Sequence, residues 1–200
     1  MPAGRRDSGF VDGNLAVNLP GGNSNTKDLI RLYADRGLTV DDMVILEGAH
    51  SVGEAKCVTT IVDDLNLANV TGSAEIIDNN FREMMLKKYC PKANESNWSE
   101  IPVPMIADKS GSGLGSGSAA WGVSFFNNII KGKGVITSDV PFAVYPSTKD
   151  LVRQYANDSA LWMKKFGETM VKLGKMDVLT GEQGEIRRHC SVQNAANMHA

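Results

Sequence analysis

The segment at residues 39–53 constrains the fold of this chain more than any other stretch. Thr39 is followed three residues later by Asp42, the spacing of a capping box, which predicts the first turn of a helix. Apolar residues continue that helix to His50, and glycines lie on both sides of the histidine. Because glycine carries no side chain, a large planar group can approach the backbone there. The segment therefore predicts a capped, apolar helix that ends in an approachable histidine.

His50 has two interpretations on this local pattern. An imidazole at the end of an apolar helix, beside glycines, is typical of an axial haem ligand. A single histidine near apolar residues is also commonly a satisfied core or surface residue. The local pattern leaves both open.

Helical patterns recur along the chain. Helices are expected near residues 25–37, 74–88, 123–130, 148–155 and 158–173, and strands are at best short. In the last of these helices Trp162, Phe166, Met170 and Leu173 form an apolar stripe typical of a core. A low-complexity Gly/Ser-rich loop lies at about 108–120. We expect an all-α fold in one domain over residues 1–200.

Composition excludes several classes of partner. The net charge of -2 and the absence of a basic patch argue against nucleic acid. No apolar run reaches membrane-spanning length, which argues against a membrane protein. No segment of signal-peptide type occurs at the N-terminus, so the chain as written is expected inside the cell.

Several motifs, in order along the chain, resemble the plant secretory (class III) haem peroxidases. They are Gly4–Ser8, Leu19–Pro20, Gly48–Ser51, Cys90–Pro91, Gly134–Asp139, Met170–Gly174 and Leu179–Arg187. The resemblance implies a helical haem-peroxidase-like domain that binds haem b. The family's Arg-x-x-Phe-His-Asp-Cys segment, whose arginine and histidine act on peroxide, does not occur here. The chain therefore resembles the proximal half, and the resemblance assigns no catalytic residue of the distal side.

The resemblance assigns roles to three residues near the haem. His50 would be the axial ligand of the iron, and Asp139 would accept a hydrogen bond from its ring. Pro20 would line the substrate channel at the haem edge. Considered without the family, the sequence favours a turn role for Asp139 and a structural role for Pro20. Glu47 departs from the small residue that the family usually has there, which would disturb packing beneath the haem.

The resemblance also bears on calcium. Ser51 matches a calcium-binding position of the family, and calcium needs six to eight oxygen ligands. The family's carboxylates at this site correspond to Ile106 and Gly122, so the sequence argues against calcium. Asp108 or Ser110 is left as a substitute, and a plain helix-end hydroxyl is the alternative role for Ser51.

The same resemblance predicts the state of the three cysteines. The resemblance pairs Cys57 with Cys90 and leaves Cys190 as a free thiol, because its family partner lies in the half that is missing. Three reduced thiols in a cytosolic protein are the alternative.

Two functions remain open at this stage. The resemblance implies a secreted peroxidase that removes hydrogen peroxide by oxidising small phenolic donors, in the response to oxidative stress. The alternative is a truncated, non-catalytic haem-binding remnant or interaction protein. An exposed apolar haem face would then need cover from another chain.

Overall fold

The computed structural model describes residues 3–10, 19–22, 24–57, 76–90, 102–104 and 121–194. The described part is mainly helical, which confirms the all-α prediction. Its helices are α1 (Thr26–Ala34), α2 (Val40–Glu47), α3 (Asn79–Lys88), α4 (Val123–Ile130), α5 (Lys149–Asn157) and α6 (Ser159–Leu173). Two short 3-10 turns add Gly48–Ser51 and Val140–Ala143, and β1 (Glu54–Lys56) pairs antiparallel with β2 (Pro102–Pro104). The predicted Gly/Ser-rich loop lies outside the described residues.

The caps of α1 and α2 explain where these helices begin. Asn25 accepts a hydrogen bond from the Asp28 backbone N–H at 2.9 Å. Thr39 accepts from the Asp42 N–H at 3.0 Å, and Asp42 accepts in return from the Thr39 N–H at 2.8 Å. Each bond satisfies an N–H that the helix itself leaves without a partner. The predicted capping box is therefore confirmed.

Two elements differ from the sequence-based expectation. Helix α3 begins at Asn79, later than residue 74, because the Asp78 carboxylate accepts from the Phe81 N–H at 2.6 Å and caps the helix there. Helix α2 ends before the histidine, so His50 lies on the 3-10 turn that follows rather than on the helix. The tighter turn changes the direction in which the imidazole leaves the backbone.

The chain divides into two compact units, residues 20–166 and residues 1–19 with 167–200. The larger unit holds two apolar clusters. The first comprises Leu29, Met43, Val44, Ile45, Phe125, Phe126, Ile129, Phe142, Ala143, Val152, Tyr155 and Trp162. The second comprises Cys57, Ile77, Phe81, Met85, Cys90, Val135 and Val140. The assignment of one domain to residues 1–200 stays a prediction.

Trp162 connects three segments of the larger unit. Its Nε1 donates to the Ile45 carbonyl oxygen at 3.1 Å, and its ring is fully buried. A Cβ on Gly48 would come within 2.6 Å of this ring, and one on Gly122 within 2.3 Å. Both positions therefore require glycine, and the indole packs the turn of His50 against the start of α4.

Cys57 and Cys90 form a disulfide with a Cα–Cα distance of 6.0 Å, as predicted. Both residues are buried in the second apolar cluster. Cys190 is a free, exposed thiol.

The smaller unit is held by backbone and arginine contacts. Arg6 N–H donates to the Leu179 carbonyl at 2.9 Å, and its guanidinium contacts the Gly184 carbonyl at 3.2 Å. These are structural contacts near the chain's first described residues. Among the described helices, none combines the length and the apolar character that a membrane crossing needs.

Candidate functional site

His50 contacts two carboxylates through one ring nitrogen. Its Nδ1 lies 3.0 Å from Asp139 Oδ2 and 3.1 Å from Glu47 Oε2. The Phe125 ring meets the imidazole edge-on, with centroids 6.1 Å apart. Nε2 has no hydrogen-bond partner among the described residues, and 35% of the side chain is exposed. The imidazole is therefore fixed at Nδ1 and about one third accessible to solvent.

Asp139 is the more deeply buried of the two carboxylates. It lies at the start of the Val140–Ala143 turn, and only 1% of its side chain is exposed. The Ser138 hydroxyl donates to its second oxygen, Oδ1, at 3.4 Å. The structure thus brings together His50 and Asp139, which lie 89 positions apart in the sequence.

Glu47 is the residue that the sequence analysis missed as a partner of His50. It ends α2 and is buried, with its Oε1 accepting a hydrogen bond from the Tyr33 hydroxyl at 2.9 Å. Instead of disturbing the packing, Glu47 has a partner on each oxygen. One signal was present in the sequence, because residues three apart on a helix lie on the same face.

Burial and charge set the protonation of this cluster in opposing ways. Burial and the charge of Asp139 raise the pKa of Glu47 to about 7, although His50 and the Tyr33 hydrogen bond act against the rise. Burial alone would lower the pKa of His50, but the charge and hydrogen bond of Asp139 and the charge of Glu47 outweigh it and raise that pKa to about 9. Burial and Glu47 raise the pKa of Tyr33 above its ordinary value. Tyr33 therefore remains a neutral donor, and Nδ1 of His50 keeps its proton.

Ser51 ties the turn of His50 to α4. Its hydroxyl donates to the Gly48 carbonyl at 2.8 Å and accepts from the Gly122 N–H at 2.8 Å. This is the helix-end role that the sequence left open. Gly122 has a φ of 77° and lies against Trp162, so the family's carboxylate has no room at this position. Ile106, Asp108 and Ser110 lie outside the described residues.

Pro20 is exposed, and the segment that contains it is hydrogen-bonded to the segment that contains Asp139. The carbonyl of Gly22 accepts a hydrogen bond at 3.1 Å from the backbone N–H of Ser138, the residue before Asp139. Pro20, the predicted channel residue, is therefore two residues before Gly22, whose carbonyl contacts the segment that contains Asp139.

Within the described ranges, one group of three side chains has the arrangement of metal ligands. The potential ligand atoms of Glu47, His50 and Asp139 all lie within 4.8 Å of one another. The two carboxylates contact Nδ1, so Nε2 is the ring nitrogen without a partner among the described residues. A histidine whose Nδ1–H is held by a carboxylate is the usual arrangement of a metal-ligating imidazole.

Comparison with known proteins agrees with this helical fold. The family model described as Peroxidase matches residues 1–158, and the chain belongs to the peroxidase family. Peroxidase 5 of Vitis vinifera is 31% identical over 200 residues, covering 98% of this chain and 56% of the relative. Peroxidase 12 of Arabidopsis thaliana is 33% identical over 198 residues, covering 97% of this chain and 50% of the relative. The chain spans about half the length of these curated relatives.

Proposed function

We propose that this chain is the haem-binding, proximal part of a peroxidase, with His50 as the axial ligand. The observation that carries the proposal is the 3.0 Å contact between Nδ1 of His50 and the buried Asp139 carboxylate. In the neutral imidazole this contact selects the tautomer in which Nε2 carries the lone pair, and it increases the basicity of the ligand. Both properties suit an imidazole that binds oxidised iron.

The donor set fits haem b, which when bound supplies the redox chemistry of hydrogen peroxide reduction. In this proposal Asp139 orients the imidazole, and Phe125 limits its rotation by edge-on packing. Family membership supports hydrogen peroxide and small phenolic donors as the substrates, and Pro20 would then line the channel through which the donors reach the haem. It also supports a secreted protein that acts in the response to oxidative stress. Ser51 serves the turn rather than a calcium ion in this proposal.

A non-catalytic haem-binding protein is the second candidate. Within the described part of the chain the other histidine is His189, which is exposed and bridges backbone to backbone with Val192. A partner chain would then cover the exposed face of the haem.

Haemin titration of the purified chain tests the proposal. We expect a Soret band that is lost in His50→Ala, retained in His189→Ala, and weakened about 10–100-fold in affinity in Asp139→Asn. Peroxide-driven oxidation of a phenol that depends on His50 would support the peroxidase. Haemin binding without oxidation of the phenol would support the second candidate. Haemin binding that is unchanged in His50→Ala would contradict both candidates.

A further inference from the structure

We propose that Glu47, held in place by Tyr33, is a second carboxylate partner of His50 Nδ1 and positions this imidazole by an ion pair, while Asp139 accepts its hydrogen bond. The contact itself does not depend on the proposed function. Its consequence for iron rests on the proposed role of His50 as the axial ligand. Glu47 is a positioning residue in this scheme, because it acts on the iron only through His50.

The two carboxylates approach the same ring nitrogen and make different contacts with it. Nδ1 lies 3.0 Å from Asp139, to which it is hydrogen-bonded, and 3.1 Å from Glu47, with which it forms an ion pair. The hydrogen bond fixes the direction of the N–H, and the charge of the second carboxylate attracts the same edge of the ring. The orientation of the imidazole about its own axis is therefore set by both side chains.

Each carboxylate is anchored by a hydroxyl on its other oxygen. The Tyr33 hydroxyl donates to Oε1 of Glu47 at 2.9 Å, and the Ser138 hydroxyl donates to Oδ1 of Asp139 at 3.4 Å. Only 9% of the Glu47 side chain is exposed, so its carboxylate depends on these protein partners rather than on bulk water. Tyr33 in α1 thus fixes a side chain of α2 at the distance that His50 requires.

Two carboxylates beside Nδ1 polarise the imidazole more than one does. A more basic axial ligand stabilises ferric iron relative to ferrous iron, because the higher positive charge is better compensated. Removing Glu47 should therefore move the reduction potential of bound haem in the positive direction. Loss of Asp139 should move it in the same direction.

Nitrogen-15 NMR of the ligand-free chain tests the contact without haem. Glu47→Gln keeps the size of the side chain, and Tyr33→Phe removes only the hydroxyl that anchors it. We expect both variants to move the Nδ1–H resonance of His50 upfield, because the charge beside this N–H is removed or displaced. Glu83→Gln and Tyr145→Phe, which change residues outside this cluster, should leave it in place. A resonance unchanged in Glu47→Gln would overturn the role of Glu47 and leave Asp139 as the partner that positions His50.

Potentiometry of the haem-loaded chain tests the consequence. We expect a positive shift of the midpoint in Glu47→Gln and none in Glu83→Gln, with far-UV circular dichroism confirming that both variants fold. A shifted NMR resonance with an unchanged potential would overturn the effect on iron. Failure to load haem would contradict the proposed function, while the NMR result would still decide whether Glu47 holds His50.

Discussion

At the scale of single residues, the histidine is fixed by contacts on both sides of its short turn. Asp139 and Glu47 hold the imidazole at Nδ1, and the Ser51 hydroxyl joins the turn to the first residue before α4. The ring and the backbone that carries it are thus anchored separately. Loss of one anchor should loosen the other only partly, because they share no atoms.

Replacement of Ser51 by alanine tests the backbone anchor. The change leaves the buried Gly122 N–H without its acceptor, so we expect the free energy of unfolding to fall by about 1–3 kcal/mol. Urea denaturation followed by circular dichroism measures this loss. Ser147→Ala, at an exposed position, is the matched control and should change little. Equal stability of the two variants would show that the Ser51 bridge contributes nothing.

The pairing of His50 with Glu47 could not be predicted from the sequence, although the pairing with Asp139 was expected. Asp139 lies in a motif whose role the family resemblance suggests. The orientation of the Glu47 side chain depends on how α1 packs against α2, because the Tyr33 hydroxyl must reach the Glu47 carboxylate from the other helix. Helical spacing shows that Glu47 and His50 share a face, but it does not show that the face is buried.

At the scale of elements, helix starts were predictable where their caps are local. The capping box at Thr39 and the Asn25 cap of α1 use residues three positions apart, so the sequence alone carries the signal. The 3-10 turn of His50 was not predictable, because Gly48 packs against Trp162, which belongs to a distant helix. Long-range packing decides the geometry of the turn, and local propensity does not.

Alanine in place of Gly122 tests this packing. The residue has a positive φ of 77°, and a Cβ there would meet the Trp162 ring at 2.3 Å. Gly37 has a similar φ of 71° with open space around it, so Gly37→Ala reports the cost of backbone strain alone. We expect Gly122→Ala to be less stable than Gly37→Ala by about 1–3 kcal/mol of overpacking, measured by urea denaturation. The same loss in both variants would contradict a steric role for Trp162.

The hydrogen bond of Tyr155 should make the free energy of unfolding depend on pH in the alkaline range. The hydroxyl of this α5 residue donates to Asp41 of α2 at 2.6 Å, and burial together with this bond raises the pKa of Tyr155 above its ordinary value. The contribution is therefore complete below about pH 10 and is lost as the pH rises towards the folded-state pKa. We expect the stability difference between the wild type and Tyr155→Phe to narrow above about pH 10. Urea denaturation at several pH values measures it, and a constant difference would contradict the prediction.

At the scale of the whole molecule, the order of motifs along the chain predicted more than any single pattern. The Cys57–Cys90 disulfide followed from the family resemblance, which also implied the helical fold that the residue patterns predict, and the structure shows both. The division into two compact units did not follow from it. Contacts such as Arg6 with Leu179 join the two ends of the sequence, and no local pattern reports them.

Reduction of the disulfide should destabilise the molecule substantially. The bond joins residues 33 positions apart, and the chain-entropy estimate for a loop of this size is about 3.5–4 kcal/mol. We expect a lower midpoint of thermal unfolding in the presence of a reductant or in the Cys57→Ala/Cys90→Ala variant. Cys190→Ser removes the exposed thiol and should leave the midpoint unchanged. A reductant effect that persists in the double variant would assign the loss to something other than this bond.

The indole of Trp162 makes the ligand position depend on residues far along the chain. Its hydrogen bond to Ile45 spans 117 positions, and its ring covers Gly48, two residues before His50. The turn cannot fray by itself without uncovering this ring, so it should open together with the core as one cooperative unit. Backbone amides in the turn should then exchange with solvent as slowly as those of the core. The position of His50 should therefore be as stable as the core around Trp162, and not only as stable as the four-residue turn that carries it.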